Sequence, residues 1–113
     1  VTGLTWQQQI VSEKLTQYEA VNYCANLDLA SPLFWRLPTR IELLSIVDIG
    51  RIKPAINSEA FPDTPSELFW TATQNPISLS PLSFFYVDFA TGKADASHPG
   101  TPAHGFMRVR CVR

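Results

Sequence analysis

The chain opens with an alternation of apolar and polar positions, Leu4-Thr5-Trp6-Gln7, that predicts a short strand. After a polar connector, Thr16 and Glu19 stand at the Thr-x-x-Glu spacing in which each side chain accepts a backbone N–H at a helix start. Beyond them Ala20, Cys24 and Leu27 fall on one stripe, flanked by Val21 and Ala25. This predicts a helix ending near Asp28 with Cys24 toward the core. Ser31-Pro32 breaks the chain. Trp35-Arg36-Leu37-Pro38-Thr39-Arg40-Ile41-Glu42-Leu43-Leu44 then reads as a strand turning through a proline corner into a second capping box, Thr39 with Glu42. The helix behind it is predicted over 40–49 and largely buried, because Ile41, Leu43, Leu44, Ile46 and Val47 cover more than half its circumference. Gly50 stands where a left-handed cap would end it.

Pro54, Pro62 and Pro65 make 51–67 a loop rather than a helix or central strand. The remainder reads as β, with strands over 68–73, 83–89 and 105–112 and a turn at Ala90-Thr91-Gly92-Lys93. In the middle strand Phe85, Val87 and Phe89 share one face and Tyr86 and Asp88 the other. In the last, Met107, Val109 and Cys111 oppose Arg108 and Arg110, which are expected on the outer face. A short strand, two helices and then clustered strands predict an α+β fold with an antiparallel sheet and no internal repeat.

The 113 residues suit one domain with a real core. A net charge of −1 gives no electrostatic case for nucleic acid. No apolar run reaches the roughly 18 residues that span a bilayer, so no membrane insertion is expected. Cys24 and Cys111 are either two buried thiols or one disulfide. A bond would close a loop of 111 − 24 = 87 positions, worth roughly 4.6 kcal/mol in the chain-entropy picture.

Candidate chemistry is sparse. Arg108, Arg110 and Arg113 either form a basic stripe or pair with Asp88, Glu13 or Glu19. Asp95, His98 and His104 occupy a loop at 94–104, at a spacing that matches no closed metal site, so neither metal nor cofactor is expected. That loop and 74–82, which carries Gln74 and Asn75, are the long irregular connections between strands, where binding residues concentrate. Trp35, Trp70, Phe85 and Phe89 are expected in the core, and Tyr86, Phe84 and Phe106 are the candidates for exposed rings. Asp48 is expected to bond backbone or an arginine. No Gly-x-Ser-x-Gly or comparable nucleophile context occurs, so catalysis is not expected.

Five separated blocks recur in order: Gly3-Leu4-Thr5-Trp6-Gln7; Trp35-Arg36-Leu37-Pro38-Thr39-Arg40 with Glu42-Leu43 and Asp48; Phe69-Trp70-Thr71-Ala72-Thr73; Tyr86-Val87-Asp88-Phe89 with Gly92; and Arg108-Val109-Arg110-Cys111-Val112-Arg113. With these blocks the chain resembles the C-terminal domain family of the Legionella collagen-like adhesins. The resemblance implies a C-type-lectin-like fold, with two helices flanking a twisted antiparallel sheet, paired terminal strands, and a disulfide from the first helix to the last strand, which fits Cys24 and Cys111. It also implies a domain appended to a longer exported bacterial protein, at the cell surface or secreted, with glycosaminoglycan-like carbohydrate or host surface protein as partner and a homotrimer as assembly. The chain lacks the Glu-Pro-Asn and Trp-Asn-Asp elements of calcium-dependent lectins; Gln74-Asn75-Pro76 has the wrong order. The expectation is therefore a non-catalytic adhesion or carbohydrate-binding module using Gln74, Asn75, Tyr86, Asp88, His98, His104 and Arg108. The alternative is a structural, protein-interaction or oligomerisation domain.

Overall fold

The computed structural model describes residues 3–8, 10–27, 35–62, 64–77, 83–97 and 105–113. Two helices, α1 (Gln17–Ala25) and α2 (Arg40–Leu44), precede three strands, β1 (Leu68–Gln74), β2 (Phe84–Asp88) and β3 (Lys93–Ala96), that form an antiparallel sheet in the order β1-β2-β3. The fold is small α+β, as the pattern of elements predicts. Both capping boxes form: Thr16 and Thr39 each accept the backbone N–H of the glutamate three residues on, and that glutamate accepts in return.

The register explains the core. Trp70 pairs with Tyr86 and Phe69 with Val87, so neighbouring residues point to opposite faces. Trp70 and Tyr86 pack with Ala20 and Cys24 of α1 and with Leu37, Met107, Val109 and Cys111. Phe69, Val87 and Phe89 pack on the other face with Leu43 of α2 and Ile56, the two phenyl rings edge to face at 5.0 Å. The sheet is thus covered on both sides, with apolar residues buried in both directions.

Terminal segments complete it through isolated bridges. Thr5 and Arg113 exchange backbone hydrogen bonds, Arg36 and Val112 do the same, and so do Leu15 and Met107, while Arg108 joins the edge of β1 in parallel. Cys24 and Cys111 are bonded, with Cα atoms 5.5 Å apart.

Several expectations are corrected. Helix α2 stops at Leu44, well short of 49: Ser45 caps it, donating its hydroxyl to Glu42 O, and Val47 pairs with Ile56. Only Leu43 of its apolar residues is fully buried, and Ile41 is 75% exposed. Gly50 is not the left-handed cap; among the described residues the positive-φ glycines are Gly3 and Gly92. Residues 93–96, expected to pass from turn into loop, form β3, because the tight turn at Gly92 returns the chain along β2. The segment 105–112 is bridged on several sides instead of forming one ladder, and its supposed outer face is covered. Arg110 has no exposure. Tyr86 is likewise buried, at 8% exposure, because α1 and the C-terminal segment cover its face. The expected end of α1, near Asp28, lies outside the described residues; α1 closes at Asn26.

Candidate functional site

The candidate residues do not gather at one place. Gln74 pairs with Phe84 at one end of β1, and Leu68 pairs with Asp88 at the other. Six residue steps of about 3.3 Å put the two ends roughly 20 Å apart. At the first end Asn75 is occupied in holding its own loop. Its backbone N–H donates to Ser83 O at 2.8 Å, its Nδ2 to Ser83 Oγ at 3.4 Å, and its Oδ1 accepts from the Ile77 N–H at 3.2 Å. Gln74 is exposed beside it. His98 and His104 lie outside the described residues. Asp95 sits exposed on β3 opposite Tyr86 and accepts from the Ala96 N–H at 2.8 Å. Burial, and then the carboxylates of Asp95 and Asp88, raise the pKa of the Tyr86 phenol. Tyr86 is thus a core residue with a polar tip, not an exposed ring.

The second end forms a cleft of about 280 Å³ lined by Lys14, Ser66, Glu67, Leu68, Asp88, Ala90, Phe106 and Met107. Three pairings build it. The Leu15–Met107 bridge brings Lys14 to Phe106, the Phe69–Arg108 bridge brings Glu67 to Arg108, and the β1–β2 register brings Asp88 opposite Leu68. Glu67 is the electrostatic centre. Lys14 Nζ lies 2.9 Å from its Oε2, and Arg108 donates from Nε to Oε2 at 3.2 Å and from Nη2 to Oε1 at 3.3 Å. Arg108 Nη1 also donates to Ser12 O, which fixes the fork. The Arg108 hydrogen bonds, and then Lys14, hold the Glu67 carboxyl below its ordinary range. A carboxylate so held is a poor proton acceptor at neutral pH and a good fixed hydrogen-bond acceptor. Asp88 accepts from the Ala90 N–H at 2.8 Å, which orients its carboxylate along the cleft wall. Phe106 is 58% exposed and supplies the one open ring among the lining residues.

Lys14 in the lining and Arg108 behind Glu67 together offset the two carboxylates. Of the expected residues the cleft lining unites Asp88 with the exposed Phe106, and Arg108 backs it through Glu67; Lys14 and Glu67 are additional. No sequence signal marks them, since 14, 67, 88 and 106 meet only through long-range bridges. The carboxylate that Arg108 meets is Glu67 rather than Asp88, Glu13 or Glu19. Arg113 lies over the Trp35 ring, its guanidinium carbon 4.7 Å from the centroid, so the three arginines form no common stripe. Asp48, as expected, bonds backbone and an arginine, accepting from the Gly50 N–H and from Arg51. Among the described residues no group of three or more His, Cys, Asp or Glu is placed to hold a metal ion. No helix among them is long and apolar enough to cross a membrane.

The whole chain, residues 1–113, matches the family described as the Lcl C-terminal domain. No curated protein matches the chain.

Proposed function

The chain belongs to the Lcl C-terminal domain family, and from that premise we propose that it is a non-catalytic carbohydrate-binding module of a bacterial surface or secreted protein, with a C-type-lectin-like fold and its ligand in the cleft at Glu67, Asp88 and Phe106. The observation that carries this reading is the exposed Phe106 ring beside two oriented carboxylates and the Lys14 ammonium in one cleft. A sugar ring offers an apolar face that stacks on a phenyl group. Its hydroxyls donate to carboxylates and accept from an ammonium. Because Glu67 engages both Lys14 and Arg108, the cleft favours a hydroxyl-rich sugar over a densely sulfated one, which would need uncommitted cations. The disulfide fits an extracellular location, and the paired termini support the lectin-like arrangement.

A glycan array followed by titration calorimetry, with heparin included and with calcium or chelator, tests the proposal. Phe106→Ala and Asp88→Asn are each expected to weaken a selected glycan about tenfold, the scale of one lost stacking or charge-assisted contact. The melting temperature should change little, because the Phe106 ring is exposed and the amide oxygen of Asp88→Asn can still accept the Ala90 N–H. Silence of the array under every condition overturns the carbohydrate reading.

Protein interaction or homotrimer assembly is the second reading. It is favoured by Tyr18 and Val21, which are 77% and 41% exposed at i, i+3 on the outer side of α1. Light scattering distinguishes it: a trimer that Tyr18→Ser dissociates supports assembly through this face.

A further inference from the structure

Residues 47–56 form a tight hairpin whose tip points away from the core. Val47 pairs with Ile56, and the Asp48 N–H donates to Ala55 O at 2.8 Å. The hairpin is fastened to the β2–β3 turn, with the Ala55 N–H on Phe89 O at 2.7 Å and the Lys53 N–H on Ala90 O at 3.1 Å. Its tip is closed by Asp48, which accepts from the Gly50 N–H at 2.9 Å and meets Arg51 Nε at 3.1 Å. The interior needs of the hairpin are met by Ala55 and Ile56, both fully buried. Ile49 and Ile52 nevertheless project from the tip at 96% and 70% exposure. They contribute nothing to the core, and the hydrogen bonds beneath them hold them outward before any partner arrives.

We infer that this tip docks on an anionic lipid surface, with Ile49 and Ile52 reaching the acyl boundary while the Lys53 ammonium, beside the Asp48–Arg51 pair, stays among the headgroups. The charge pattern selects this occupant. The chain carries a net charge of −1, yet the charged residues of the hairpin 47–56, Asp48, Arg51 and Lys53, leave it at +1; Asp48 pairs with Arg51, and the Lys53 ammonium has no ion pair among the described residues. Aliphatic tips interleaved with long basic side chains match the apolar-to-polar gradient of a bilayer interface, where the basic stems extend back to the headgroups. A convex tip also needs no complementary pocket in lipid. Protein contacts of comparable size draw instead on Trp, Tyr and Arg seated in pockets. The contact is interfacial, spans nothing, and is independent of the cleft at Glu67.

Co-sedimentation of the chain with phosphatidylcholine vesicles, with and without phosphatidylserine, tests it. The chain should bind the phosphatidylserine vesicles and lose about tenfold in partitioning for each of Ile49→Ser and Ile52→Ser. Lys53→Glu should lose about tenfold as well, and added salt should weaken the contact. Ile52→Trp should be quenched by brominated acyl chains, which reports insertion directly. Circular dichroism of the variants is expected to be unchanged because both isoleucines are exposed, and glycan titration of the same variants separates a failure here from a failure of the cleft. No binding to phosphatidylserine vesicles, or equal binding by all variants, overturns the inference and leaves the tip to a protein partner.

Discussion

Arg110 shows how one side chain can tie three parts of the chain together. Its guanidinium has no exposure and donates from Nη1 to Gln7 O and Gln8 O and from Nη2 to Thr64 Oγ1 at 2.8 Å, while its central carbon lies 4.9 Å from the Phe61 ring centroid. Nε makes no hydrogen bond among the described residues. Burial alone pulls its pKa down to about 10, which still leaves it charged at neutral pH. The carbonyl oxygens, the hydroxyl and the ring face offset the desolvation that burial imposes. Removing the fork leaves several acceptors unmet and a void, so Arg110→Ala is expected to cost about 3 kcal/mol or more in urea unfolding. Arg110→Lys should recover only part of this, because an ammonium is a point donor that cannot serve three oxygens in a plane. The sequence pattern misplaced Arg110 for a physical reason. Alternation assigns a residue to solvent only when one face of the strand is wet, and the segment from Met107 to Val112 is bridged and covered on both sides.

Elements were legible where their signals are local. The start of α2 is specified by neighbours in the chain. Arg36 grips Glu42 with two bonds of 2.6 Å, Glu42 Oε1 accepts the Thr39 N–H at 2.9 Å, and Thr39 Oγ1 accepts the Glu42 N–H at 3.2 Å. The Arg36 hydrogen bonds come first in lowering the Glu42 carboxyl from its ordinary 4.5 to about 2, with the Thr39 backbone bond assisting. A carboxyl depressed on folding contributes stability that is complete above its unfolded value and is lost as the pH falls through its folded value. Stability should therefore decline between about pH 4.5 and pH 2, and Glu42→Gln should flatten that window in acid-titrated denaturation curves. Because Arg36 is about half exposed, the pair is worth about 1 kcal/mol rather than the full value of the shift. The end of α2 was not legible, since it depends on a long-range partner. Val47 leaves the helix to pair with Ile56 and packs where a Cβ on Gly92 would stand 2.8 Å from its Cγ1. Gly92 also holds φ +82°, so Gly92→Ala is expected to cost about 2 kcal/mol and to lower the melting temperature.

The whole molecule is organised by the C-terminal segment, which meets the N-terminal segment at Trp6, the approach to α1, the approach to α2 and β1 in turn. The Cys24–Cys111 bond fastens α1 to that segment over Trp70 and Tyr86, so one covalent link holds one of the two core layers against the sheet. The cleft adjoins the same layer. Lys14 reaches Glu67 from the residue before Leu15, which bridges Met107, accepts the Trp70 indole N–H at 2.8 Å and leads directly into the Thr16 cap. This arrangement could not be read from spacing, because it joins positions 14, 67, 88 and 106 only after the chain has closed. It also couples stability to the site. Opening the 87-residue loop by Cys24→Ser with Cys111→Ser should lower the unfolding free energy by about 4 kcal/mol, chiefly by freeing the unfolded chain. In the folded remainder α1 keeps its cap but loses its tether. Trp70 fluorescence should then shift to the red as Leu15 loosens, and glycan affinity should fall together with the Lys14–Glu67 contact. If the double variant loses stability while Trp70 emission and affinity hold, the bond acts only on the unfolded chain, and the bridge at Leu15 and Met107 secures the cleft by itself.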